Sequence, residues 1–143
     1  MLHYSKTRRQ YVKLNKGDHH QRRDCAFCDD DTLTTRVTQE TDTMMVLPNR
    51  VSYDIFEGRK VLDHLMIVPK RHLERVADFT DQEQLELMKL IGKYEANGYS
   101  IYARGWGSVS RSVKHQHTHL IKLDDKIASF NLYLRKPYVL IHK

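Results

Sequence analysis

No apolar run in the 143 residues approaches the roughly 18 needed for a membrane-spanning helix, so a span is not expected. Met1 to Asp24 lacks the apolar core of a secretory signal. Export is therefore not expected, and the cytosol is the expected location. There is no internal repeat and no low-complexity linker, so a second domain has no support. Cysteine is scarce as well. Cys25 and Cys28 are the only two, separated by Ala26 and Phe27. A pair this close in a cytosolic chain is usually a metal clip or a redox pair, and rarely a structural disulfide. What remains, 40% hydrophobic and 29% charged residues, fits an ordinary soluble domain with a proper core.

The net charge of +6 is unevenly placed. Residues 1–24 carry Lys6, Arg8, Arg9, Lys13, Lys16, Arg22 and Arg23 against Asp18 and Asp24. They read as a basic N-terminal extension, with the compact domain over 25–143. Such an arm is either a solvated tail or a holder of nucleic acid or another polyanion.

Thr34–Thr38 and Thr43–Leu47 read as strands joined by a polar turn. Residues 49–63 read as a loop or variable hairpin. His64–Val68, closed by Pro69, reads as a buried strand. A short helix is expected over His72–Ala77. Thr80-Asp81-Gln82-Glu83 is a capping box opening a long helix. In that helix Leu87, Met88, Ile91 and Tyr94 recur at helical spacing, and Asn97-Gly98 ends it. Tyr99–Ala103, Lys114–Leu123 and Tyr138–Ile141 read as further strands, around a Gly- and Ser-rich loop over 105–112. The fold class is α+β, an antiparallel sheet with one long and one short helix.

His115-Gln116-His117-Thr118-His119 is the outstanding feature. On a strand its three imidazoles would line one face, about 7 Å apart, with Gln116 and Thr118 on the less packed rear. Three same-face histidines fit an exposed polar face, a three-histidine metal site, or a catalytic site.

The run resembles the His-φ-His-φ-His-φ-φ signature of the histidine-triad (HIT) superfamily. Ser112-Val113-Lys114-His115 resembles the segment leading into that signature. His64 to His72 resembles the family's Gly-His-x-Leu-Val-Ile-Pro-Lys-Arg-His strand. Phe79 to Glu83 resembles its Leu-Thr-x-Glu-Glu helix start, and Cys25 to Cys28 the Cys-x-x-Cys of zinc-bearing members. The order agrees from residue 25 to about 123, about 70% of the chain.

The resemblance implies nucleophilic attack by His117 on the α-phosphorus of a nucleotide conjugate, either a dinucleoside polyphosphate or a nucleoside phosphoramidate. A nucleotidyl-histidine intermediate would follow, with His119 assisting the leaving group. It implies Ser112 at the phosphate. Arg111 and Arg104 stand where the family often has Gln and Asn, which implies a more anionic group or a shifted pose. It implies Asn49 at the ribose, although His64 follows fifteen residues later, about seven more than in the family. It implies structural Zn2+ on Cys25, Cys28, His72 and His115, and by analogy a homodimer. His64 is expected in a core or supporting role, and His19-His20 in solvent. The competing reading is a zinc-stabilised module that binds nucleotide or RNA without turnover.

Overall fold

The computed structural model describes residues 3–16, 25–28, 34–127, 131–135 and 138–142. His19-His20 and the rest of residues 17–24 in the basic extension lie outside them. Among the described residues, two helices, α1 (Ser5–Lys16) and α2 (Asp81–Glu95), accompany eight strands. The strands are β1 (Gln39–Glu40), β2 (Met44–Pro48), β3 (Ile55–Phe56), β4 (Arg59–Pro69), β5 (Tyr99–Tyr102), β6 (Thr118–Ile127), β7 (Asn131–Arg135) and β8 (Tyr138–His142). One antiparallel sheet runs β1-β2-β4-β6-β5, with β3 hairpinned onto β4, while β7 and β8 pair separately. The α+β class holds. Among the described residues no helix is long and apolar enough to cross a membrane.

Alternation on β2 and β4 sets the two faces of the sheet. Met44, Val46, Ile67 and Leu120 point to one side, where Leu87 and Leu90 of α2 cover them with Leu73 and Phe79. Met45, Leu47, Met66 and Val68 point to the other, against Phe27 and Val37. Both faces of β2 are thus covered. That explains an unbroken apolar Met44–Leu47 run where alternation with polar residues would mark a one-sided strand. His119 pairs directly with Met66, and His64 with Ile121. The histidines therefore lie on the face opposite α2.

Several local expectations shift. Residues 49–63 take the hairpin form: Glu57 and Gly58 both have positive φ, 50° and 71°, as a two-residue turn of the I′ kind requires. This turn starts β4 at Arg59, five positions before the expected His64. Thr34–Arg36 is a 3-10 turn, and strand pairing begins only at Gln39. The short helix over His72–Ala77 reduces to a 3-10 turn at Val76–Asp78. Residues 72 and 73 are drawn instead into contacts with Cys28 and Gln116. The second helix lies in the basic extension. In α2 the Thr80–Glu83 capping box forms as expected. Its buried stripe is Glu83, Leu87 and Leu90, with Ile91 and Tyr94 packed beside it. Met88, about 100° around from Leu87, faces solvent at 61% exposure.

The largest correction concerns the histidine run. Strand β6 opens at Thr118, not Lys114, and continues to Ile127. The β4–β6 register would set His117 and Gln116 opposite Val68 and Pro69, and Pro69 has no N–H to give, so the ladder stops at Thr118. Gln116 donates its N–H to Leu73 O instead, at 2.7 Å. The rear of the run is fully packed: Gln116 and Thr118 are both buried.

Candidate functional site

Leaving the ladder at residue 117 separates the first histidine from the other two. His115 faces Cys25, Cys28 and His72. Its Nδ1 lies 3.3 Å from Cys25 Sγ and 3.5 Å from Cys28 Sγ, and His72 Nδ1 lies 3.3 Å from Cys28 Sγ. The four ligand atoms fall within 4.8 Å of one another. His115 Nε2 donates to Pro69 O at 3.0 Å, since a carbonyl only accepts, and this leaves the Nδ1 lone pair toward the sulfurs. Burial pushes His115 down to about 4, so the ring is neutral, the form that ligates metal. A Cys2His2 set with a preset tautomer fits a tetrahedral metal ion.

His117 and His119 lie edge to face, with ring centroids 5.0 Å apart. Their hydrogen bonds give them opposite tautomers. His117 Nδ1 donates to His115 O at 2.8 Å, so Nε2 keeps its lone pair. On the other side, the Tyr53 N–H donates to His64 Nδ1 at 3.2 Å. That backbone donor cannot be reversed, so His64 carries its proton on Nε2. His64 Nε2 then donates to His119 Nδ1 at 2.9 Å, which leaves His119 with its proton on Nε2. The Asn49 amide nitrogen is also 3.2 Å from His64 Nε2, but an amide can redirect its hydrogens and the Tyr53 N–H cannot. His119 Nε2 is buried and makes no hydrogen bond. An imidazole with a free lone pair thus adjoins one with a buried, unused N–H. Burial lowers both below the ordinary histidine value, and the nearby Arg104 charge adds to this.

The remaining sequence candidates sort by position. Arg104 donates to the Tyr53 hydroxyl at 2.8 Å and lies 6.0 Å from the Tyr53 and Tyr102 rings. Both rings stand beside His119. Ser112 is exposed on the loop before His115. Arg111 binds that loop together, donating to Glu74 O, Val113 O, Lys114 O and Gln116 Oε1 at 2.6–3.2 Å. Asn49 lies at His64, and its Oδ1 accepts from Val51 N–H at 3.2 Å.

Two groups at the site, Tyr53 and Phe27, went unsingled in the sequence, and the supporting role expected of His64 takes a specific form. His64 is the relay to His119. Tyr53 covers both histidines, at 4.6 Å from the His64 ring and 5.7 Å from the His119 ring. Phe27, between the two cysteines, touches both His115 and His117, at 5.6 and 5.5 Å. The available signal for His64 was its register, two positions from Met66 on an alternating strand. Tyr53 sits in the lengthened connection and gave none.

Comparison with solved structures agrees with this architecture. The fold is similar to a HIT family hydrolase from Clostridium thermocellum, with TM-score 0.54 and 16% identity over 73% of this chain and 95% of that one. It is similar to a hypothetical protein from Leishmania major, with TM-score 0.54 and 18% identity over 72% and 76%. It is also similar to the Plasmodium falciparum diadenosine triphosphate hydrolase crystallised with cyclomarin A, with TM-score 0.54 and 12% identity over 85% and 84%. No curated protein matches the sequence. The family model for the HIT domain matches residues 36–126, which hold β1 to β6, His64, His72 and the whole histidine run, so the chain belongs to the HIT-domain family.

Proposed function

We propose that this protein is a nucleotide hydrolase or nucleotidyltransferase that attacks the α-phosphorus of a nucleotide conjugate through His117. The observation that carries the reading is the pair of opposite tautomers on adjacent buried rings. His117 Nε2 offers a lone pair, and His119 Nε2 offers a proton. Attack by Nε2 forms a P–N bond and breaks the bond to the leaving group. The leaving atom takes the electron pair and is hydrogen-bonded by the His119 N–H, and an amine leaving atom takes its proton from solvent. Water or another acceptor then releases the nucleotide from His117.

Around the phosphorus, Ser112 and Arg104 supply donors to the phosphoryl oxygens. Arg111, its guanidinium held by carbonyls and Gln116, keeps the loop carrying Ser112 in shape. Asn49, beside His64, would offer its amide to a ribose hydroxyl. Cys25, Cys28, His72 and His115 hold Zn2+, which ties the Cys25–Cys28 turn to the run before β6 and supplies no step of the reaction.

The test is mass spectrometry of the intact protein after mixing with a panel of dinucleoside polyphosphates and nucleoside phosphoramidates. A nucleotidyl adduct mapping to His117, absent in His117→Ala, is the expected result. No adduct and no turnover across the panel would reject the enzyme in favour of a binding module.

A further inference from the structure

The basic extension is not detached from the site. The Asp54 carboxylate accepts the Tyr4 N–H at 2.7 Å and the Thr7 hydroxyl at 3.0 Å, so it caps the start of α1 from fifty residues away. Asp54 follows Tyr53 in the lengthened connection before β4. His3 stacks on Tyr11 at 5.7 Å and tilts onto Tyr53 at 5.5 Å, while Tyr53 lies 5.7 Å from His119. One aromatic ring therefore separates the segment that opens α1 from the proton donor. Helix α1 contains Lys6, Arg8, Arg9, Lys13 and Lys16 and no acidic residue. The side chains of Lys6, Arg8, Arg9 and Lys13 are exposed.

We propose that α1 is a leaving-group selector, favouring nucleotide conjugates whose leaving group is a phosphate chain over those whose leaving group is an uncharged amine. This rests on His117 being the nucleophile. His119 donates to the leaving atom, so the leaving group lies on the side of His119, toward Tyr53, Arg104 and α1. When the P–O bond of a phosphate chain breaks, its electron pair stays on the departing oxygen and the chain leaves as a polyanion. Cations within about 8 Å, the screening length at physiological salt, stabilise that growing charge. An amine takes the electron pair of its P–N bond and a proton from solvent, with the His119 N–H only hydrogen-bonded to it, leaves uncharged, and gains nothing from α1. Asp54 keeps the basic helix at the site by capping it.

Two measurements on the full chain decide the matter. The first is kcat/KM on a dinucleoside tetraphosphate and on a phosphoramidate of a neutral amine with the same nucleoside. In the variant K6Q/R8Q/R9Q/K13Q the ratio between the two substrates should fall by about tenfold or more, through kcat as well as KM, and its salt dependence should flatten. An unchanged ratio overturns the proposal. The second needs no turnover: binding of inorganic tripolyphosphate by calorimetry. It should weaken by about tenfold in that variant and also in Asp54→Ala, which retains every cation but unfastens the helix that carries them. Equal binding by all three proteins overturns the selector even if His117 forms its adduct. Weakened binding without any adduct on His117 overturns the hydrolase reading and the selector with it, leaving a phosphate-chain site. Tight binding of single-stranded RNA with no affinity for tripolyphosphate overturns the selector in favour of a nucleic-acid surface.

Discussion

His64 links the chemistry of the site to the stability of the fold. It is 3% exposed, and burial pushes it down to about 4, against the partial pull of Asp63 upward. Folded protein therefore holds it neutral, whereas the unfolded chain takes up a proton below about pH 6.5. The stabilisation is complete above that value and is lost as pH falls from about 6.5 toward about 4, at up to about 1.4 kcal/mol per pH unit. Urea unfolding at about pH 5 should show a lower midpoint than at about pH 7, and His64→Phe should reduce the difference without abolishing it, because His115, His117 and His119 are lowered by burial as well. The same substitution removes the donor that fixes the His119 tautomer. It should lower kcat for amine leaving groups by about 100-fold, a typical cost of losing one preorganised hydrogen-bond donor, with a smaller loss on phosphate leaving groups. Arg111 acts differently. Arg111→Ala strips four acceptors of their donor, two of them on residues flanking His115, and should cost about 1–3 kcal/mol in chemical denaturation. Lysine at 111 should not rescue it, because a single ammonium cannot reproduce the planar fork.

The turn carrying Cys25 and Cys28 works as an element through Phe27. Metal binding would fix the turn against His115 and hold the Phe27 ring on His117. Stripping the metal with a chelator, or replacing Cys25 by Ser, should lower Tm by on the order of 10 °C. It should also reduce kcat more than it raises KM, because the displaced Phe27 packs the nucleophile and not the substrate. An unchanged Tm after complete chelation would show that the four residues hold no structural ion. The elements that could be read from sequence are those whose causes are local. The Thr80–Glu83 capping box needs only four consecutive residues, and it forms as read. The start of β6 has a remote cause. Whether residues 114–117 join a ladder depends on Pro69, which offers no N–H opposite Gln116, and on where Leu73 places its carbonyl. The chemical identity of the histidines was legible, and so was the grouping of His115 with Cys25, Cys28 and His72. Their tautomers were not, because these depend on a Tyr53 amide and a Pro69 carbonyl that meet the rings only in the folded chain.

At the scale of the molecule, the sheet divides its duties between faces. One is sealed by α2, and the other carries the histidines beneath Tyr53 and the start of α1. Glu86 on α2 fastens the sealed side, accepting from Thr41 Oγ1, Thr43 N and Thr43 Oγ1 in the turn before β2. Those hydrogen bonds, the Thr41 hydroxyl foremost, lower Glu86 to about 2. Its contribution is thus present above the ordinary value of about 4.5 and disappears as pH falls toward 2. The opposite face has no such dependence on α1. The described buried core begins at Cys25 and contains no side chain from residues 3–16. Deleting residues 1–16 should therefore leave a cooperatively unfolding domain whose Tm lies within a few degrees of the full chain. It uncovers one side of Tyr53 and frees the Asp54 carboxylate, but Tyr53 still packs tilted on His64 and donates its backbone N–H to that ring. The relay to His119 should survive the deletion, so a phosphoramidate should still form the His117 adduct. A truncated chain that fails to unfold cooperatively would show instead that α1 belongs to the folding unit and that the domain does not begin at Cys25.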